Sequence, residues 1–158
     1  MNDQPPPWSS KAWIAWTTRL LNSYRKFVGK DLIPRTSADQ DSQTLYHAPF
    51  VVVAHGTEDD PLLNYGNQAA LDLWQMSLDE LIGTPSRKTA EPVHRDERAE
   101  LLRRTREHGY IDDYTGIRIA STGQRFRIHQ ATVWNVVDGN DAYVGQAAAF
   151  ADWTMLTE

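Results

Sequence analysis

The 158-residue chain contains no cysteine, which rules out disulfides, thiolate metal sites and a cysteine nucleophile. A reducing cytoplasm suits that absence. Also missing is any apolar run near the roughly 18 residues that span a bilayer. The opening MNDQPPPW is polar and proline-rich, unlike the basic-then-apolar layout of a secretion signal. A cytoplasmic location without a membrane span is therefore expected. Positive charge is short: 16 Lys+Arg against 21 Asp+Glu leave a net charge of -5. A dedicated nucleic-acid binder is usually net basic, so no nucleic-acid partner is expected. There is no Gly-x-Ser-x-Gly turn to carry a catalytic triad, and no internal repeat.

What is present is a run of agreeing local signals. Asn67 follows Gly66 and precedes Gln68-Ala69-Ala70-Leu71, so its side-chain oxygen can cap a first helical turn. Ser77 and Glu80 have capping-box spacing ahead of Leu81 and Ile82, and Gly83 then Pro85 stop that helix. Upstream, residues 1–8 read as a disordered tail because Pro5-Pro6-Pro7 favours extended geometry. Region 9–30 reads as an amphipathic helix capped by Ser9 or Ser10. Trp13, Trp16, Leu20, Tyr24 and Phe27 recur at spacings of three and four and give it one apolar stripe. The segment is wholly basic, so a membrane-surface helix competes with a packing helix. Packing against a sheet face or a second subunit is the expectation. Residues 31–45, rich in Ser, Thr and acids around Pro34, read as a linker to a compact unit over 46–158.

Within that unit, Pro49 to Ala54 is a β-branched run buried on both faces, followed by a turn and a second strand over Leu62–Tyr65. Pro92 opens a helix with acids early and arginines late, ended by Gly109. Five acids and five arginines between Glu91 and His108 make those arginines a solvated face. Three strands close the chain: Tyr110–Ala120, Arg125 onward, and Tyr143–Trp153. Strict alternation in the second of these puts Phe126, Ile128, Gln130, Thr132, Trp134 and Val136 on one face.

The order is strand, strand, helix, short helix, loop, helix, then three strands, which predicts an α+β fold with a five-stranded antiparallel sheet and helices on one face. It is the order of a PAS domain. Asn64-Tyr65-Gly66-Asn67-Gln68-Ala69 resembles the strand-to-helix entry of that superfamily, Ser77 to Gly83 its short Gly-ended helix, and Pro92 to Arg98 the start of its later helix, with the proline displaced. Gly145 followed by Asp152-Trp153-Thr154 is similar to its last strand. Within the superfamily the chain resembles bacterial MEKHLA-domain proteins in HGTEDDPLLNYGNQAAL, PSRKTAEP, YIDDYTGIRI and QATVWN followed by GQAAAF. The six-letter string that names the family does not occur here.

The resemblance implies a stand-alone sensory module that binds a small ligand or a protein partner in signalling. A homodimerising scaffold is the alternative, and a small-molecule enzyme built on His55, Arg87 and Glu91 a third reading. It also implies a cavity walled by the loop after Gly83, for which His55, Tyr65, Trp74, Arg87, Glu91, Gln130, Trp134 and Gln146 are the candidate lining. Arg87 and Glu91 are expected either to pair with each other or to present Arg87 to an acidic ligand. A light-sensing flavin site of this superfamily needs an adduct-forming cysteine, and there is none. Haem on His94 or His108 is disfavoured because both sit among charges at helix ends. A metal site on His55, Glu58, Asp59 and Asp60 is disfavoured because acids in such a turn are ordinary. The short stretch after Thr154 implies that output passes through a partner or self-association.

Overall fold

The computed structural model describes residues 5–91 and 95–157. The first long helix, α1 (Lys11–Val28), starts at Ser10, whose hydroxyl accepts from the Trp13 amide, and stops at Gly29, which is left-handed. Helix α2 spans Ala38–Tyr46. Strands β1 (Val51–His55) and β2 (Leu63–Gly66) precede α3 (Gln68–Trp74) and α4 (Leu78–Leu81). A 3-10 turn at Ser86–Thr89 and α5 (Arg95–His108) lead into β3 (Tyr110–Ile119), β4 (Arg125–Val137), β5 (Tyr143–Phe150) and β6 (Asp152–Met155). The predicted helix start at Pro92, and His94 with it, lie outside the described residues.

All pairings are antiparallel and the order is β2-β1-β5-β4-β3, with β6 beside the first half of β4. The predicted α+β antiparallel architecture is what the chain forms, and the sheet has a sixth strand because the last predicted strand breaks at Ala151 into β5 and β6. The capping predictions also stand, including the reciprocal Ser77–Glu80 box.

The sheet separates two cores. The inner one joins Val51, Ile128, Ala131, Val133 and Phe150 to Trp74 of α3 and Leu101 of α5. On the outer side, Val52, Ala54, Trp134, Val136, Ala147 and Ala149 meet Leu20, Leu21 and Tyr24 of α1. Alanine at 147 and 149 lets α1 come close, and Trp134 then donates its indole N–H to the Leu20 carbonyl at 3.1 Å. Helix α1 thus packs on its own sheet through Leu20 and Tyr24. Trp13 and Trp16 lie half-buried on the same cluster, and Phe27 lies over Gly109.

Three expectations change. The supposed linker contains α2, which packs against α1 and is tied down by the buried carboxylate of Asp41. Burial pushes that group up, yet hydrogen bonds from Arg35 and Thr36 outweigh the effect and hold its pKa below the usual value. The polar composition that suggested a linker is largely capping and ion-pair chemistry. Residues 1–8 are not wholly a free tail either: Trp8 lies against Tyr46 and His47, with ring centroids 5.0 and 4.4 Å away, and its carbonyl accepts from Ser42.

The third change concerns β4. Gln130 adopts φ +49 and is exposed, one extra residue opposite the Tyr114–Gly116 step of β3. The bulge moves the alternation by one place. Phe126 and Ile128 face inward, as do Ala131 and Val133, while Thr132, Trp134 and Val136 face outward. The single face predicted from strict alternation is therefore two faces joined at a bulge.

Candidate functional site

A space of about 80 Å³ lies between the inner sheet face and α3, the 3-10 turn and α5. Its floor is Val53, Ala131, Val133, Ala148 and Phe150; Trp74, Leu63 and Leu101 close the sides. Small residues on β4 and β5 leave this room because no side chain longer than a methyl rises from Ala131 or Ala148. Gly145 supports the same wall from behind: a Cβ there would be driven into the His55 carbonyl oxygen, so only glycine lets β1 and β5 approach.

Polar groups ring one end. His55 Nδ1 lies 2.9 Å from the Gly56 carbonyl, which assigns the proton to Nδ1 and leaves Nε2 a buried acceptor without a partner. Gln146 donates to the Leu102 carbonyl at 3.0 Å and to Asn135 Oδ1 at 3.1 Å. The Trp74 indole N–H and the Tyr114 hydroxyl are likewise buried without partners. Arg98 from α5 donates to Ser86, and Arg118 from β3 donates to the Ile117 carbonyl and lies 5.2 Å from the Tyr114 ring centre. Orphaned donors and acceptors on residues that line a space are costly unless a small molecule or water completes them.

Of the eight residues expected to line the site, His55, Trp74 and Gln146 do so. Tyr65 belongs to the outer core, its ring centre 4.8 Å from that of Trp13, because its face of β2 is covered by α1. Trp134 is outward and Gln130 exposed, both because of the bulge. Arg87 and Glu91 do not pair. In a 3-10 turn residues three apart share a face, so Ser86 and Thr89 point inward and Arg87 reaches out to Asp60 at 3.0 Å. Glu91 lies 3.8 Å from Arg125. The His55–Arg87–Glu91 constellation is thus not assembled. Glu58 accepts from the Leu62 amide and closes its own turn, and Asp60 is held by Arg87, so these acids are not gathered on His55.

Arg98, Arg118, Tyr114 and Ser86 were not foreseen. Arg98 was grouped with solvated arginines, although it precedes Leu101 by three and Thr105 by seven, the spacing of a buried helical stripe. Arg118 shares the β3 alternation of Tyr114 and Gly116.

Burial holds the His55 imidazole below its ordinary value, with the Gly56 carbonyl opposing and Arg98 adding to the effect. The unfolded chain then takes up a proton before the folded one does. Stability that His55 contributes is present above the unfolded value near 6.5 and is lost as pH falls below it. The thermal midpoint should fall between about pH 7 and 5.5, and less steeply in His55→Gln. An identical slope in the variant would assign the dependence elsewhere.

The MEKHLA domain family profile matches residues 14–155, and the chain belongs to that family. Two Arabidopsis thaliana proteins are similar over 90% of the chain: homeobox-leucine zipper protein ATHB-9, at 28% identity, and ATHB-14, at 24%. The match spans 17% of each of those proteins. Both are plant proteins, which does not support the bacterial part of the resemblance. Among solved structures, the light-state dimer of the fungal blue-light photoreceptor Vivid aligns with a TM-score of 0.62 at 14% identity, over 96% of this chain and all of that one. A PAS domain from Colwellia psychrerythraea gives 0.60 at 16%, covering 75% and 95%. A light-oxygen-voltage domain described with a flavin analogue gives 0.55 at 22%, covering 74% and 84%. The fold is PAS-like. No described helix is long and apolar enough to cross a membrane.

Proposed function

We propose that this MEKHLA domain is a ligand-binding sensory module whose ligand occupies the inner cavity. The observation that carries the reading is that three residues lining one space, His55, Trp74 and Tyr114, each hold a buried unpartnered atom: Nε2, Nε1 and the hydroxyl. A space of about 80 Å³ is far below the roughly 300–1,000 Å³ of pockets for drug-sized ligands. The occupant is accordingly compact. A tricyclic flavin does not fit these walls, and the chain has no cysteine to bond one. Binding completes the polar ring and stiffens the contact of α5 with the sheet, and signalling follows from that ordering.

Native mass spectrometry of freshly purified full-length chain tests this. A reproducible small mass excess is expected, and it should vanish in Ala131→Leu, which grows into the cavity while keeping the core apolar. A clean ligand-free dimer, with Ala131→Leu indistinguishable from the parent, would favour the homodimerising scaffold instead.

A further inference from the structure

The two arginines at the cavity are the least expected feature of the core. Arg98 is 9% exposed and Arg118 7%. Neither forms an ion pair among the described residues, whereas the more exposed Arg25, Arg35, Arg87, Arg103, Arg104 and Arg125 each lie beside a carboxylate. Their acceptors are neutral: the Ser86 hydroxyl and the Ile117 carbonyl. Asp60, whose field reaches Arg98, is hydrogen-bonded to Arg87. Burial, then the neighbouring charge of Arg118, pushes Arg98 down to about 10, which still leaves it cationic at neutral pH. Two buried cations without a counter-ion are unfavourable, and folded proteins supply such groups with an anion.

We propose that the cavity receives a small organic acid, its carboxylate against the guanidinium groups of Arg98 and Arg118 and its short apolar body against Trp74, Ala148 and Phe150. This rests on the inner cavity being a ligand site. A guanidinium fork matches the two oxygens of a carboxylate. The Tyr114 hydroxyl, above Gly116 and beside Arg118, adds a donor on the same side. The rest of the wall is apolar and the space is short, which selects a body of a few carbons over a sugar or nucleotide.

The experiment is a melting-temperature and calorimetric comparison of acetate, butyrate and benzoate with butyramide, benzamide and inorganic phosphate, on the full chain. Expected is saturable stabilisation by at least one carboxylate, with its matched amide at least tenfold weaker. Arg98→Met and Arg118→Met should each lose that stabilisation. Their ligand-free melting temperatures should equal or exceed the parent's, because an unpaired buried charge has been replaced by an apolar chain of similar length. Should both variants melt well below the parent without ligand, the arginines are structural and the proposal fails. Equal binding of amides and carboxylates overturns the acid but leaves the cavity as a ligand site. Stabilisation by phosphate but by no carboxylate assigns the arginines to an inorganic anion and overturns the organic acid. No binding by any probe overturns the organic acid, and with Ala131→Leu also silent it overturns the cavity as a ligand site as well.

Discussion

Asn67→Ala should cost about 4 kcal/mol of stability, a large share of what a domain of this size possesses. Asn67 is fully buried and every hydrogen-bonding position of its amide is used. Its oxygen accepts from the amides of Val52 at 3.0 Å and Ala70 at 3.2 Å, and its nitrogen donates to the carbonyls of Leu45 at 3.1 Å and Phe50 at 2.9 Å. One side chain therefore fastens the end of α2, the start of β1 and the first turn of α3. An ordinary helix cap is worth about 1 kcal/mol. Here truncation leaves the amides of Val52 and Ala70 and the carbonyl of Phe50 without that partner, each at about 1–3 kcal/mol before relaxation, while the Leu45 carbonyl keeps the Ala48 amide. Asn67→Asp should also be strongly destabilising, since it keeps the cap acceptor but loses both donors and buries a charge. Urea unfolding with matched slopes measures the difference. A loss near 1 kcal/mol would mean that Asn67 is a cap and nothing more.

Trp134→Ala should cost about 3–5 kcal/mol, the range for emptying a buried tryptophan site. The side chain is fully buried, meets Tyr24 edge-on with ring centres 4.9 Å apart, and its N–H is held by the Leu20 carbonyl. Trp134→Phe should lose less, about 2 kcal/mol, since the aromatic contact survives while the N–H donor and part of the ring volume are removed. The informative part is what does not change. Trp134 is on the side of the sheet away from the cavity, so whatever the cavity retains in native mass spectra should be retained by Trp134→Phe as well. Loss of the ligand in that variant, with the chain still folded, would return Trp134 to the binding site.

The two residues also mark what the sequence made legible. Helix ends and turns are local chemistry, and the caps at Asn67 and Ser77 and the stop at Gly29 could be read directly, with the first cap narrowed to Ser9 or Ser10. The second pair of bonds from Asn67 could not, because Leu45 and Phe50 reach it only in the folded chain. The site was read less well for a single reason. Its inner lining along β4 was inferred from alternation, and a glutamine at positive φ carries no signal of the kind a glycine gives. One unseen residue moved Trp134 and Gln130 out of the cavity and Ala131 and Val133 into it. The arginines were missed differently. Charge balance along α5 describes a solvated face well, and it hides one arginine whose spacing belongs to Leu101 and Thr105.

The bulge at Gln130 has a counterpart across the ladder. Thr132 pairs with Ala149 and His129 with Asp152, so Gln130 and Ala151 are the odd, exposed residues of adjoining strands. Ala151 separates β5, with Phe150 inward, from β6, where Trp153 packs on the same inner core. Both strands therefore change parity at one level and stay in step. Length at this point is a shared variable: removing Gln130 alone, or Ala151 alone, would slide one strand past its neighbour by a residue. Removing both would leave a continuous ladder with each inner and outer side chain on its present face.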